Sequence, residues 1–345
     1  MAPVAVAAIT VAVFAPALWY GFVQWDDDRN LLNNPHYRGL GWAQIRWAFT
    51  SAVMGHWIPV TWLTFSLDHA LWGMNPFGYH LTNVLLHSVN AVLFYLLALR
   101  LLRLALTTAG TGTIRLGAIV AALFFAVHPL RTESVAWITE RRDVLSALFY
   151  LLTVLAYMKA CETDGRPRRR WLVASIGAYT LGLLSKSLII SLPLVLLVLD
   201  AYPLRRAQGR WRQVLAEKLP YLGLAIATAV ISVWVVIAKL GLTSAAAYPP
   251  EARVAMVLYS LAFYLEKTLL PISLSPMYEL PPRVELESPR FLVSALVAVG
   301  LTVGVVLGRR RWPAALAVWI VYGLTLAPVS GIVHNGPQLV ADRYS

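Results

Sequence analysis

The sequence predicts an all-α polytopic membrane protein, and two observations support this fold class. Of its 345 residues, 59% are hydrophobic and 13% are charged, whereas soluble domains carry about 25% charged residues. A membrane-crossing helix needs about 20 mostly apolar residues, and stretches of this kind follow one another along the whole chain. We therefore interpret residues 1–345 as a single membrane-embedded domain.

Nine apolar segments are predicted to cross the bilayer, and a tenth, 255–271, is predicted to be an interfacial or re-entrant helix. Residues 255–271 include Glu266 and Lys267 and precede several prolines, which disfavours a full crossing. The first segment lacks a basic stretch before its apolar core, so we interpret it as an uncleaved span and not as a signal peptide. The nine spans are 2–22, 79–99, 116–128, 144–160, 171–185, 187–204, 219–239, 291–308 and 312–329. A bundle of about nine or ten transmembrane helices follows.

The positions of the basic residues predict the orientation of the chain, because short cytoplasmic loops are enriched in Lys and Arg. Loops 100–115, 159–170, 200–218 and 309–311 contain 16 of the 29 basic residues but only 4 of the 17 acidic residues. This excess of 12 equals the formal net charge of +12, so topology explains the charge and no nucleic-acid partner is required. The opposite loops are predicted to face the periplasm or exterior of a bacterial inner membrane; they are 23–78, 129–143, 241–290 and 330–345.

The long loop 23–78 is predicted to contain amphipathic helices and an acidic motif. Its Trp-rich stretches 41–50 and 57–72 have the pattern of helices that lie at a membrane surface. The motif is Asp26-Asp27-Asp28, in which adjacent carboxylates repel one another unless a cation lies near. It is either a hydrophilic end to the first span or a functional site that supplies a catalytic base, a metal site, or both.

Other polar residues narrow the possible chemistry. His80, Asn83, His87 and Asn90 share one face of the second span, and hydrogen bonds between helices or contacts with a substrate explain them equally well. A metal shared by His80 and His87 is not expected, because they stand two turns apart.

Segment 128–143 is the most charged stretch on the predicted outer side. Its adjacent arginines Arg141 and Arg142 suit a phosphate group, while the alternative is a self-neutralising network of ion pairs. Lys186, between two apolar runs, either extends to the interface or meets an anion.

Carboxylates and cations on one face of the membrane predict transfer from a lipid-phosphate donor to an acceptor hydroxyl. One carboxylate would act as the base, and the cations would stabilise charge on the departing phosphate. Two alternatives remain open, namely a transporter or flippase that binds anionic lipid-linked precursors without chemistry, and a non-catalytic scaffold.

The motifs WDDDRNLLNNPHYR, HPLRTESVAWITERRDVLS and LSKSLIISLPLVLLVLD carry a family resemblance that extends to LLPISLSPMYELPP and the terminal ADRYS. The chain resembles bacterial relatives of the transmembrane-and-tetratricopeptide-repeat O-mannosyltransferases, which are membrane glycosyltransferases of the GT-C fold class. The resemblance implies a GT-C-like bundle and an inverting transferase that uses a polyprenyl-phosphate-linked sugar. The implied acceptor is a protein Ser or Thr, or a glycan. No 34-residue helical repeat is found in the sequence, so we expect either a fragment or a protein without the acceptor-recruiting half.

The resemblance also implies roles for individual residues. Asp26 is the first candidate for the catalytic base and Asp27 the second, with Asp28, His56 and His80 as support for the acceptor or a metal. No cofactor is expected, although three carboxylates could hold Mg²⁺ or Mn²⁺ against a phosphate. The implied lipid-phosphate ligands are Arg131, Arg141, Arg142, Lys186 and Arg343, and the supporting residues of the second signature are His128, Glu133, Glu140 and Asp143.

Overall fold

The computed structural model describes residues 1–240, 248–281, 283–331 and 338–344. Within them the chain forms thirteen α-helices, and a two-stranded antiparallel sheet pairs β1 (Tyr278–Glu279) with β2 (Gln338–Val340). The predicted all-α fold class is confirmed. The helices are α1 Ala2–Phe14, α2 Trp42–Thr50, α3 Pro59–Trp72, α4 Pro76–Ala105, α5 Thr111–Val127, α6 Arg131–Ala136, α7 Arg141–Cys161, α8 Gly165–Leu183, α9 Leu192–Ala201, α10 Trp211–Leu240, α11 Pro250–Leu269, α12 Pro289–Leu307 and α13 Pro313–Leu326.

Each of the nine predicted spans coincides with a helix in the described residues. In this part of the chain, five helical segments are both long and apolar enough to cross a membrane: Ala2–Trp19, Pro76–Ala105, Ile138–Cys161, Trp211–Ala238 and Pro289–Arg310. Three further apolar helices, Thr111–Val127, Ser187–Ala201 and Pro313–Val329, are shorter. Helix α11 is continuous, and its interfacial position stays a prediction.

Exposed apolar stripes on the helices agree with a bilayer environment. On α5 the exposed residues Leu116, Val120 and Phe124 follow one another every four positions, so they form one face of the helix. In water such a face would be a large apolar patch, whereas lipid tails are as apolar as the side chains. The chain is an integral multi-pass membrane protein.

The chain folds into two compact units. Unit 1 comprises Met1–Ile189 and Ile226–Lys239, and unit 2 comprises Ile190–Ala225 and Leu240–Ser345. In unit 1, α4 packs against α1, α5 and α7. Ala91 of α4 and Ala118 and Ala122 of α5 are fully buried, and these small side chains let the two helix backbones approach closely. The single-domain interpretation stays a prediction.

The first loop contains the two predicted amphipathic helices, which are α2 and α3. Helix α3 bridges the ends of two other helices of unit 1. At its start, the Val60 N–H donates to the Leu184 carbonyl over 3.1 Å, and Thr61 Oγ1 donates to the Ser185 carbonyl over 3.0 Å. At its end, only 73–75 separate it from α4. Because fourteen helical residues extend about 21 Å, α3 lies across the ends of α8 and α4.

Two features fix the corner between α3 and α4. Asn75 caps α4 by accepting a hydrogen bond from the Phe77 N–H over 3.1 Å, and Pro76 occupies the first turn of that helix, where its missing N–H is harmless. The Trp72 ring lies against Gly78, where an added Cβ would come within 2.1 Å of Trp72 Cγ. The direction of α3 relative to α4 is therefore defined by packing.

Unit 2 contains its own buried ion network. Asp200 of α9 and Lys218 of α10 are both fully buried, and their charged atoms are 2.5 Å apart. Arg206 joins the network by donating to Asp200 over 2.8 Å and to both carboxylate oxygens of Glu217. This network ties the segment between α9 and α10 to both helices.

Candidate active site

Asp27 is enclosed by hydrogen-bond donors. Its side chain is 1% exposed. Oδ1 accepts from the backbone N–H of Thr139 over 3.0 Å and from Thr139 Oγ1 over 2.6 Å, while Oδ2 accepts from the Val23 N–H over 3.0 Å. Burial raises the pKa of Asp27, and these hydrogen bonds oppose the increase. By contrast, Asp26 and Asp28 are partly exposed.

We call residues 23–30 the acidic turn. Its last three residues are also the first three of a single π-helical turn, Asp28–Leu32. The Asn30 N–H donates to the Asp26 carbonyl over 2.9 Å. At the far end of the π-helical turn, the Arg38 guanidinium donates to the Leu32 carbonyl over 2.7 Å, where a cation suits the unpaired carbonyls of a helix end. The backbone around Asp26 is therefore held at several points.

Arg141 is the centre of a buried polar network. Its side chain is 0% exposed and forms an ion pair with Asp68. Its Nε donates to Asn83 Oδ1 over 2.7 Å, its Nη2 donates to the Tyr79 carbonyl over 2.6 Å, and its guanidinium lies 4.7 Å from the centroid of the Phe65 ring. The network joins α3, α4 and α7, and it leaves no part of the Arg141 side chain exposed to solvent.

A second network joins Glu140, Arg142, Asp143 and Lys186, and Arg131 lies within electrostatic range of Asp143. We call these five residues the ion cluster. Glu140, which is 0% exposed, accepts from Arg142 Nε over 3.1 Å and from Lys186 Nζ over 3.2 Å. Lys186 also pairs with Asp143. Burial lowers the pKa of Arg131 to about 10, and the negative charge of Asp143 opposes this. Arg142 and Lys186 each remain 8% exposed.

One short segment, residues 138–143, connects the acidic turn to the ion cluster. Thr139 binds Asp27, and Glu140, Arg142 and Asp143 belong to the ion cluster. Because consecutive Cα atoms are about 3.8 Å apart, the Cα atoms of Thr139 and Arg142 lie within about 11 Å of each other. We call residues 138–143 the anchor segment. It brings together Asp27 from the acidic turn and Lys186 from a distant part of the sequence.

The remaining predicted residues lie at several places. His56 is exposed at a tight turn that pairs it with Val53. His128 Nδ1 accepts from the Leu130 N–H over 3.2 Å, and its ring lies against Phe124. Glu133 is partly exposed on α6. In unit 2, Arg343 donates to the Pro276 carbonyl over 3.1 Å.

The polar face of α4 mainly binds neighbouring helices and loops. The Asn83 amide donates to the Val135 carbonyl over 3.3 Å and the Asn90 amide donates to the Val144 carbonyl over 2.7 Å, while His87 Nε2 lies 2.8 Å from the Ala126 carbonyl. His80 differs, because it is buried within electrostatic range of Asp27. Among the residues that the structure describes, no three His, Cys, Asp or Glu side chains are grouped so that they could hold a metal ion.

Asp68 and Thr139 are among the residues of these networks that were not identified from the sequence. Asp68 lies on the same helical face as Trp62 and Phe65, so its position on the buried stripe of a predicted amphipathic helix was an available signal. Thr139 gave no such signal, because its partner Asp27 is 112 residues away in the chain.

Comparison with known proteins shows similarity to mannosyltransferases. The model of the dolichyl-phosphate-mannose-protein mannosyltransferase family matches residues 56–237, which include the anchor segment and begin after the acidic turn. Protein O-mannosyl-transferase TMTC2 of Mus musculus is 43% identical over 113 residues, which are 33% of this chain and 12% of that protein. TMTC1 of Homo sapiens is 37% identical over 181 residues, which are 47% of this chain and 19% of the relative.

TMTC4 of Homo sapiens is 32% identical over 204 residues, which are 54% of this chain and 27% of that protein. The chain thus spans between 12% and 27% of the length of these three relatives. No solved structure matches the chain.

Proposed function

Because this chain belongs to the dolichyl-phosphate-mannose-protein mannosyltransferase family, we propose that it is an inverting membrane glycosyltransferase. It moves a sugar, with mannose as the first candidate, from a polyprenyl-phosphate carrier to a hydroxyl of a protein Ser or Thr or of a glycan. The reaction takes place on the extracytoplasmic face of a bacterial inner membrane.

The observation that carries this proposal is the junction of the acidic turn and the ion cluster on the anchor segment 138–143. Thr139 holds the turn through Asp27, and three residues later Arg142 belongs to the ion cluster. A transfer from a phosphate donor needs a base beside the acceptor and positive charge beside the leaving group. The anchor segment binds the turn that contains Asp26 and contributes Arg142 to the ion cluster, and this proximity supports the proposal.

Asp26 is the proposed base. It is partly exposed, whereas every oxygen of Asp27 is occupied by donors of the protein itself. Asp26 takes the proton of the acceptor hydroxyl, and the acceptor oxygen forms a bond to the anomeric carbon from the face opposite the phosphate. The bond between that carbon and the phosphate oxygen breaks, and polyprenyl phosphate leaves with the electron pair.

Arg142, Lys186 and Arg131 are the proposed phosphate ligands. Arg142 and Lys186 are 8% exposed beside the anchor segment, and Arg131 lies within electrostatic range of Asp143, so the three cations are placed close together for an anion. We assign Arg141 to packing instead, because its guanidinium is already enclosed by protein partners. Arg343 of unit 2 is retained as a separate proposed ligand.

The reaction is proposed to need no divalent metal, because the guanidinium and ammonium groups of the ion cluster supply the positive charge themselves. Activity is therefore expected to survive a strong chelator. Loss of activity in EDTA that Mg²⁺ or Mn²⁺ restores would overturn this part of the proposal.

The test is consumption of polyprenyl-phosphate mannose by the purified protein in nanodiscs. Wild type should consume the donor, and Asp26→Asn should lower the rate by about 100-fold or more, which is the usual contribution of a general base. Asp28→Asn removes a partly exposed carboxylate two residues away, and it should lower the rate much less than Asp26→Asn if Asp26 is the base. Unchanged activity in Asp26→Asn would refute the assignment of the base. Headgroup translocation without any glycosylated product would support a transporter instead.

A further inference from the structure

Asp27 can contribute to the reaction only through the shape of the acidic turn. Its carboxylate is 1% exposed and accepts three hydrogen bonds from Val23 and Thr139. No substrate oxygen can reach a carboxylate that is filled in this way. Its neighbours Asp26 and Asp28 are both partly exposed, and Asp26 is the proposed base.

The Thr139 hydroxyl binds two residues of the acidic turn that follow Asp26. It donates to Asp27 Oδ1 over 2.6 Å and accepts from Asn30 Nδ2 over 3.5 Å. Asn30 in turn donates its backbone N–H to the Asp26 carbonyl over 2.9 Å. One hydroxyl therefore contacts the residue that follows Asp26 and the residue that holds the Asp26 carbonyl.

We propose that Thr139 is a positioning residue that fixes the Asp26 carboxylate in the geometry needed for proton transfer from the acceptor. This inference rests on the proposed function and deepens it, because it assigns a role to a residue outside the acidic motif. A hydroxyl is needed here, since only a group that donates and accepts can serve Asp27 and Asn30 together.

The charges around Asp27 give the proposal a signature in the pH profile. His80 of α4 lies within electrostatic range of Asp27, and Asp26 and Asp28 flank Asp27 on the turn itself. Burial raises the pKa of Asp27, and the Thr139 and Val23 hydrogen bonds hold that increase back. Removing the Thr139 hydroxyl raises this pKa further, so Asp27 takes up a proton at a higher pH. The acid limb of activity should then move to higher pH.

The experiment compares Thr139→Val with Thr139→Ser and with Thr153→Val, using polyprenyl-phosphate mannose across a pH series. Valine keeps the shape of threonine and removes the hydroxyl, whereas serine keeps the hydroxyl. Thr153 is the matched control, because it is a buried threonine of α7 whose hydroxyl donates to the Phe149 carbonyl over 2.6 Å.

Thr139→Val is expected to lower kcat by about 10- to 100-fold, the usual effect of misplacing a reacting group by about 1 Å. The donor KM should stay near the wild-type value, and the acid limb should shift upward. Thr139→Ser and Thr153→Val should behave like wild type. Asn30→Ala removes the second hydrogen-bond partner of the Thr139 hydroxyl and should also lower kcat. This variant tests the proposal if Thr139→Val does not fold.

Two kinds of failure can be told apart. A wild type that consumes no donor refutes the proposed function. An active wild type whose Thr139→Val variant has the kcat and pH profile of Thr153→Val refutes the positioning role alone.

Discussion

Removing one member of the Asp68–Arg141 ion pair should destabilise unit 1 by several kcal/mol. Both side chains are nearly inaccessible, with exposures of 3% for Asp68 and 0% for Arg141. The second carboxylate oxygen of Asp68 accepts from Thr82 Oγ1 over 2.8 Å. A buried charge that loses its partner keeps its desolvation penalty, and measured losses are about 3–5 kcal/mol.

The structure distinguishes the two single variants. Asp68→Asn keeps the size of the side chain but leaves the Arg141 guanidinium uncompensated, so we expect a loss of about 3–5 kcal/mol. Arg141→Met leaves the Asp68 charge and also removes the donors to Asn83 Oδ1 and the Tyr79 carbonyl. Each buried acceptor without a donor adds about 1–3 kcal/mol, so Arg141→Met should be the more damaging variant.

The double variant Asp68→Asn/Arg141→Met isolates the pair. It removes both charges together, so its loss should be smaller than the sum of the single losses by about 2–3 kcal/mol. The free energies come from equilibrium unfolding by SDS in mixed micelles, with the amount of folded protein followed by tryptophan fluorescence.

Lys159→Met is the control, because Lys159 pairs with Glu162 over 3.2 Å at an exposed position, where such pairs contribute about 0.2–1 kcal/mol. The reasoning fails if Asp68→Asn is no more damaging than this control. It also fails if the losses of the two single variants simply add in the double variant.

Two other predictions concern the ion networks. Lys186→Met should raise the KM for polyprenyl-phosphate mannose by about tenfold, because the ion cluster loses a proposed phosphate ligand. A tenfold change is equivalent to about 1.4 kcal/mol. An unchanged KM would show that Lys186 does not bind the phosphate. Lys218→Met in unit 2 should destabilise the protein by about 3–5 kcal/mol in the SDS titration, since Asp200 is 0% exposed and would lose the ammonium group 2.5 Å from its carboxylate. Adding Asp200→Asn to Lys218→Met should recover part of this loss, and a further loss would contradict the argument.

The fold was predicted well from the sequence because a bilayer constrains the length and composition of the segments that cross it. An apolar run of sufficient length forms a helix, so the segments 79–99 and 144–160 fall within α4 and α7. The amphipathic, Trp-rich stretches 41–50 and 57–72 contain α2 and α3 for a related reason, since Trp is enriched at the boundary between membrane and water.

The networks of the site were harder to predict because they depend on tertiary contacts. Arg141 and Arg142 are neighbours in the sequence, yet Arg141 meets Asp68 and Arg142 meets Glu140, because successive residues of a helix point in different directions. The partner of Arg141 lies 73 residues away and that of Asp27 lies 112 residues away. No local pattern specifies such pairings. Charge and spacing predicted which residues would matter, and packing decided what each one binds.

The polar face of α4 has a consequence for the synthesis of the protein. His87 and Asn90 find their partners at Ala126 and Val144, which lie 39 and 54 residues later in the chain. At roughly 5–20 residues per second, a ribosome needs about 3–11 seconds to add the residues between Asn90 and Val144. During this interval α1 is already available to pack against α4, but the Asn90 amide lacks the Val144 carbonyl, which is unfavourable in lipid. Helix α4 therefore depends on later parts of the nascent chain, and we expect it to insert stably only after α5 and α7 have emerged from the ribosome.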